Sequence, residues 1–260
     1  MTYQPTPIRS DIAWSTPDRI SVRGLDLPNE ILGHFTLADF SFLQLTGRRP
    51  TAEQSRVYDA LLITLVEHGL TPSALAARMT YAGAPESLQA AVAAGLCGLG
   101  SVFVGSTEGA ARMLSDALAD DDGSTDLEAA AESIVAGFRA RKEPVPGIGH
   151  PFHKPVDPRA PRLFEIAAEN GLSGRYVELV QLVAAAGGRA IGKDLPCNAT
   201  GAIGALTCEL GLPLRAVRGL GVMARAIGLV GHILEEGEQP MAVELWRRAD
   251  DEASAHLRPE

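Results

Sequence analysis

Along most of this chain, apolar residues recur at intervals of three and four, and runs that alternate in twos are nearly absent. In residues 55–68, Val57, Leu61, Leu62, Leu65 and Val66 share one stripe and Gly69 supplies a stop, which predicts an amphipathic helix with its C-terminal signal. Residues 86–97 read as an Ala-rich helix whose small side chains let neighbours approach closely. Thr125 and Glu128 stand at capping-box spacing, and Leu127, Ile134, Val135 and Phe138 line one face of the helix that follows. Residues 120–124 before it are a solvated loop. Another helix starts over residues 157–161, where Asp and Pro suit a first turn, and ends at Asn170 and Gly171. Three more, over residues 175–186, 198–210 and 214–236, are each bounded by Gly or Pro. One short extended piece, residues 20–23, precedes Gly24. The expected class is all-α, without repeats.

Composition narrows the functions. Of 260 residues, 46% are hydrophobic and 21% charged, an ordinary globular balance. The length allows one large domain or two that share a core. A net charge of −9 with no Lys/Arg run would repel a phosphate backbone, so nucleic acid is not an expected partner. A polyanionic ligand would need a locally positive pocket. Cys97, Cys197 and Cys208 form no CxxC pair, which fits reduced thiols. The N-terminus lacks an apolar leader, and no stretch approaches the roughly 20 uninterrupted apolar residues of a membrane span. A cytoplasmic location is expected.

Candidate chemistry concentrates in residues 147–159. Pro144 and Pro146 restrict the residues before them, and Gly147 and Gly149 are free to adopt positive φ, so this is a loop that presents side chains. It carries His150, His153, Lys154, Asp157 and Arg159. An imidazole held by rigid turns can trade protons with a hydroxyl or carbonyl near neutrality. The alternatives are a histidine bonded to backbone, or a zinc pair of His150 and His153 for which the sequence shows no further ligands at metal spacing. Gly147 and Gly149 do not form a dinucleotide loop, because the strand and the third glycine are missing.

Residues 147–159 resemble the GxGH…DPR segment of citrate synthases. The resemblance implies that His150 interacts with the carbonyl or hydroxyl of the oxo acid moiety, that Arg159 binds a carboxylate, and that Lys154 lies near the CoA phosphates. Glu67-His68-Gly69 is similar to the segment with the family's substrate-binding histidine, Asp194 in KDLPCNATGAIGAL to its catalytic aspartate, and Arg225 in GVMARAIGLVGHILEE to its carboxylate-gripping arginine. RGLDLPNEIL is similar to the family's N-terminal opening, so the resemblance runs from about residue 20 to residue 240.

Read on their own, these residues are compatible with such roles. Arg225 is flanked by Val222, Met223, Ile227 and Leu229, and a guanidinium in apolar surroundings needs an anion. Asp194 could equally cap the helix after it, and His68 could face free carbonyls at a helix end.

The departure is Phe103, which stands where citrate synthases resemble GPLHG. Phenylalanine cannot donate a hydrogen bond to a thioester carbonyl. A phenylalanine here is similar to citryl-CoA lyases and to the lyase module of ATP-citrate lyase. That branch implies retro-aldol cleavage of citryl-CoA to acetyl-CoA and oxaloacetate. His150 and Asp194 would then be catalytic, and His68, Arg159 and Arg225 would bind substrate. The alternatives are a citrate or 2-methylcitrate synthase, and a non-catalytic protein that binds CoA esters. The family also implies a large helical domain from residues 1–105 and 206–260, a small one from residues 106–205, and a homodimer in which Arg247 or Arg248 could enter the partner's site. The CoA thioester is substrate, and no bound cofactor or metal is expected.

Overall fold

A computed structural model describes residues 8–102, 104–150 and 153–258. Eleven α-helices account for most of the described residues, in agreement with the all-α expectation. A small sheet precedes them. Strand β1 (Ala13–Ser15), β2 (Ile20–Val22) and β3 (Leu25–Asp26) pair antiparallel in that order. The extended piece expected at residues 20–23 is therefore the middle strand. Arg23 and Gly24, at φ 50° and 83°, make the two-residue hairpin turn in which both central residues need positive φ.

The expected helices are present with adjusted ends. They are α2 (Ala52–Val66), α4 (Leu88–Cys97), α6 (Leu127–Ala140), α7 (Arg159–Glu169), α8 (Arg175–Ile191), α9 (Ala199–Glu209) and α10 (Leu214–Glu238). Asp126, and not Thr125, caps α6: its carboxylate accepts from the backbone N–H groups of Glu128 and Ala129. The carbonyl of Thr125 accepts instead from Arg175. That guanidinium also pairs with Asp121, so the loop expected to be solvated turns one carboxylate inward.

Helices α1 (Leu37–Thr46), α3 (Pro72–Gly83), α5 (Gly105–Ala117) and α11 (Ala242–Ser254) complete the fold. Thr36 with Asp39 and Thr51 with Gln54 make capping boxes that start α1 and α2 by satisfying the free N–H groups of their first turns.

A continuous apolar core joins α1, α2 and α5 to α9 with Leu220 of α10, and includes Phe42, Tyr58, Leu114, Leu179 and Leu206. A smaller one joins Ala74 and Ala77 of α3, Ala91 of α4, and Leu229 and Ile233 of α10. The larger core thus crosses residue 105, where the resemblance implies a domain limit. The small side chains of α4 serve close packing: a Cβ on Gly95 would sit 2.6 Å from Leu229 Cδ1.

By length and composition α10 could cross a bilayer. It packs instead against α2, α3, α4 and α5, and it carries Arg225, His232 and Glu236.

Candidate active site

The loop that carries His150 is fastened to the start of α9 by backbone pairing. Ile148 bridges Cys197, the Gly149 N–H donates to the Pro196 carbonyl at 2.7 Å, and the Asn198 N–H donates to the Gly147 carbonyl at 2.9 Å. Asn198 reinforces the join, donating its amide N–H to the Gly149 carbonyl at 2.6 Å while its Oδ1 caps α9. Gly147 and Gly149 take φ of 81° and 79°, as the sequence predicts. A Cβ on Gly147 would lie 2.5 Å from the Cα of Gly201, so loop and helix touch through two bare backbones.

Three imidazoles converge beyond this join. The Nε2 atoms of His68 and His153 lie 3.3 Å apart, and the rings of His150 and His153 have centroids 4.4 Å apart. The Nδ1 of His150 accepts the backbone N–H of His153 at 2.9 Å, so in this arrangement the ring proton belongs on Nε2. Burial, followed by the neighbouring charges of His153 and Arg159 and against the pull of Asp157, holds His150 below the ordinary histidine range. Burial also lowers His68, with Arg159, His153 and Arg225 acting in the same direction. Both shifts favour the neutral form of these two rings.

The zinc reading gains a ligand it lacked in the sequence, because one ring nitrogen from each of His68, His150 and His153 falls within 4.8 Å of the others. The Nδ1 of His150 is already an acceptor, however, and its protonated Nε2 cannot ligate without a change of tautomer. The trio fits a proton-handling cluster better than a metal centre.

Asp157 is the carboxylate beside the cluster, and it is wholly buried. Its Oδ1 and Oδ2 accept from Nε and Nη2 of Arg159 at 2.9 and 2.8 Å, and Oδ2 also accepts the N–H of Ala199 at 2.9 Å. Burial would raise its pKa, but those bonds prevail and hold it at about 2. Asp157 is thus a permanent anion that orients Arg159 and anchors α9. One fork of Arg159 is committed to it, and among the described residues no hydrogen bond takes up Nη1.

Arg225, on α10, lies with only 12% of its side chain exposed and 3.8 Å from Glu67 Oε1. Among the described residues its Nη1 is buried without a hydrogen-bond partner. A buried guanidinium donor in that condition is an anion site in waiting. Glu67 also holds the segment carrying His68: its Oε1 accepts the N–H groups of His68 and Gly69 at 2.8 and 2.6 Å. Burial works to raise Glu67, but these bonds and the neighbouring His232 lower it.

The structure brings together His68, His150, Arg159 and Arg225, together with His153, Asp157 and Glu67. Asp194 is tied to them by no hydrogen bond or ion pair among the described residues. It is exposed on the turn between α8 and α9. The turn's attachment to the histidine loop runs through Pro196, Cys197 and Asn198 instead, and Asp157, not Asp194, is among the charges acting on His150 and His68. Lys154 is exposed beside the cluster. Phe103 lies outside the described residues. Burial, with the charge of Asp157, pushes the Cys197 thiol up to about 12, so it is no nucleophile at neutral pH.

Sequence reasoning gave Glu67, His232 and Arg78 no roles. Their signal lies in helical spacing: Arg225, Gly228, His232 and Glu236 fall at i, i+3, i+7 and i+11 of α10. On α3, Arg78 shares the buried face of Ala74 and Ala77.

Residues 32–248 match the family profile of the citrate synthase C-terminal domain. The chain is 33% identical to citryl-CoA lyase from Hydrogenobacter thermophilus, with a TM-score of 0.80 over 88% of this chain and 86% of that one. It is 27% identical over 195 residues to the citrate synthase of Deinococcus radiodurans, covering 74% of this chain and 50% of that protein. ATP citrate lyase from Methanothrix soehngenii shares the fold, at TM-score 0.74 and 21% identity over 91% of this chain and 40% of that one. The chain spans about half the length of the curated relatives it matches.

Proposed function

Because the chain belongs to the citrate synthase family, we propose that its histidine and arginine cluster cleaves a citryl-CoA-type thioester to an acyl-CoA and an oxo acid. One observation carries this reading: three converging imidazoles, His68, His150 and His153, share a site with Arg225, a buried guanidinium whose Nη1 has no hydrogen-bond partner among the described residues. The ligand must then offer both a carboxylate and an oxygen that changes protonation.

In the proposed reaction the carboxylates of the oxo acid moiety meet Arg225, Arg159 and His68, whereas Lys154 lies toward the CoA phosphates. The Nε2–H of His150 donates to the tertiary oxygen. As the bond between the hydroxyl-bearing carbon and the acyl α-carbon breaks, that oxygen becomes a carbonyl and its proton passes to an unprotonated ring nitrogen of the neighbouring His68–His153 pair. The bonding pair leaves as the enolate of the acyl-CoA, which takes up a proton to complete the product. The resemblance gives that last step to Asp194, an exposed residue on the turn before α9. Unchanged turnover in Asp194→Asn would transfer the step to the histidines.

Two observations favour the lyase direction. One is the likeness to a citryl-CoA lyase at a TM-score of 0.80. The other is the phenylalanine at position 103 of the sequence. A second reading, condensation by a synthase, is favoured by matches to citrate synthases and to the 2-methylcitrate synthase of Shewanella oneidensis, 27% identical over 197 residues.

Mass spectrometry of products from the purified protein and citryl-CoA separates them. A lyase yields acetyl-CoA and oxaloacetate with the thioester kept, whereas a synthase running its full reaction releases free CoA and citrate. No turnover of any CoA thioester would leave a protein that only binds such esters. A homodimer is proposed on family grounds alone.

A further inference from the structure

We infer that His232 is a positioning residue: a buried arginine fixes its tautomer, and through Glu67 it sets where His68 and Arg225 stand. The inference rests on the proposed function only for the ligand used to test it, an oxo dicarboxylate.

The arrangement begins at Arg78, which is fully buried on α3. Its Nη1 donates to Glu236 at 3.0 Å and its Nη2 to Glu235, so its charge is matched. Nε and Nη2 also face Nδ1 of His232, at 3.2 and 3.0 Å. A guanidinium has donors only, so Nδ1 of His232 must be the acceptor and the ring proton is placed on Nε2. Glu236 is itself held by the N–H groups of Met241 and Ala242, which it accepts at 2.9 and 2.8 Å. Arg78 therefore has little freedom to release the ring.

The protonated Nε2 points at Glu67, 3.1 Å from its Oε2. The contact is close, yet among the described residues Nε2 is a buried nitrogen without a geometrically formed hydrogen bond. On the other side of the same carboxylate, Nη1 of Arg225 is likewise buried and, among the described residues, without a hydrogen bond, 3.8 Å from Oε1. Glu67 stands between two donors and fully satisfies neither.

Gly228 makes this proximity possible, because a Cβ there would lie 2.1 Å from the Val66 carbonyl and 3.0 Å from Glu67 Oε2. An anion arriving at Arg225 would satisfy Nη1 and leave Glu67 to close on His232. The segment carrying His68 would then be drawn to its bound position, because Glu67 holds the backbone N–H of His68.

Two substitutions separate positioning from packing. Asn at 232 keeps an acceptor for Arg78 but does not reach Glu67. Gln keeps an N–H toward Glu67 but loses the acceptor for Arg78. By calorimetry with oxaloacetate on the full chain, His232→Asn should weaken binding about tenfold, the worth of one charge-assisted hydrogen bond. His232→Gln should stay within about threefold of wild type by the same reasoning. Thermal unfolding should rank them oppositely, with His232→Gln the less stable.

The same rank order in affinity and stability, or wild-type affinity in both variants, would overturn the inference. Nitrogen-15 correlation spectra of the histidine rings supply an independent arm. They should show His232 protonated at Nε2, and protonation at Nδ1 would also overturn it. If wild-type protein binds neither oxaloacetate nor citrate, the functional reading falls alone, and the ring spectra still decide whether Arg78 fixes the tautomer.

Discussion

Asp157 grips Arg159 through both carboxylate oxygens, and with one of those oxygens it also holds the first N–H of α9. Since Asp157 is wholly buried and its pKa falls to about 2 from an ordinary 3.8, the link between charge and stability has a definite sign. The unfolded chain takes up the proton first as pH drops, so stability is fully present above about pH 4 and is lost toward pH 2. The shift corresponds to about 2 kcal/mol. Asp157→Asn should lose about that much in denaturant unfolding at pH 7 and flatten the acid side of the stability curve. A variant as stable as wild type at pH 7 would refute the role of this anion.

The same folding of charge onto the loop bears on the imidazoles. Burial and the nearby cations keep His150 and His68 below the usual histidine value, so the neutral rings persist to lower pH than free imidazole would. The acid limb of kcat/KM should accordingly fall below about pH 6.5, the unperturbed histidine value. An acid limb above that value would mean that these rings are not the titrating groups.

His150→Ala should reduce kcat by about 10²–10⁴, the usual worth of one positioned proton-handling group. Binding of citrate should change little, because the carboxylates rest on arginines. Wild-type turnover would remove His150 from the reaction.

Arg225→Lys keeps the charge but loses the planar fork that matches a carboxylate. Dissociation constants for oxaloacetate should rise about tenfold or more, with the overall fold intact by circular dichroism. Equal affinity would show that Arg225 pairs only with Glu67.

Much of this was legible in the chain. The stripe from Val57 to Val66 and the face from Leu127 to Phe138 marked α2 and α6, because a periodic apolar face needs only local sequence to be seen. The His150 loop was marked by its prolines and glycines for the same reason. The four helices that were not delimited include α5, whose start carries Gly105 and Gly109. Such a segment has weak intrinsic helicity and is held by close packing, as where Gly204 of α9 lies against Ala110.

The site was less legible where it depends on distant pairings. His232 and Arg78 are 154 residues apart in sequence, and nothing local announces their bond. Asp194 stood out as a carboxylate ahead of a helix. The backbone pairing that fastens the turn to the His150 loop runs through residues 196–198, a join of segments 49 residues apart that no local pattern announces.

The contact between Gly147 and Gly201, where either added Cβ would meet the other backbone at 2.5 Å, has a mechanical consequence. It sets bare backbone against bare backbone between the His150 loop and a helix whose Ala202, Ile203 and Leu206 belong to the interior. Repacking that interior should therefore be transmitted to the ring as displacement. Enlarging Ala202 or trimming Ile203, substitutions that touch no reacting atom, should register in turnover rate before they register in melting temperature.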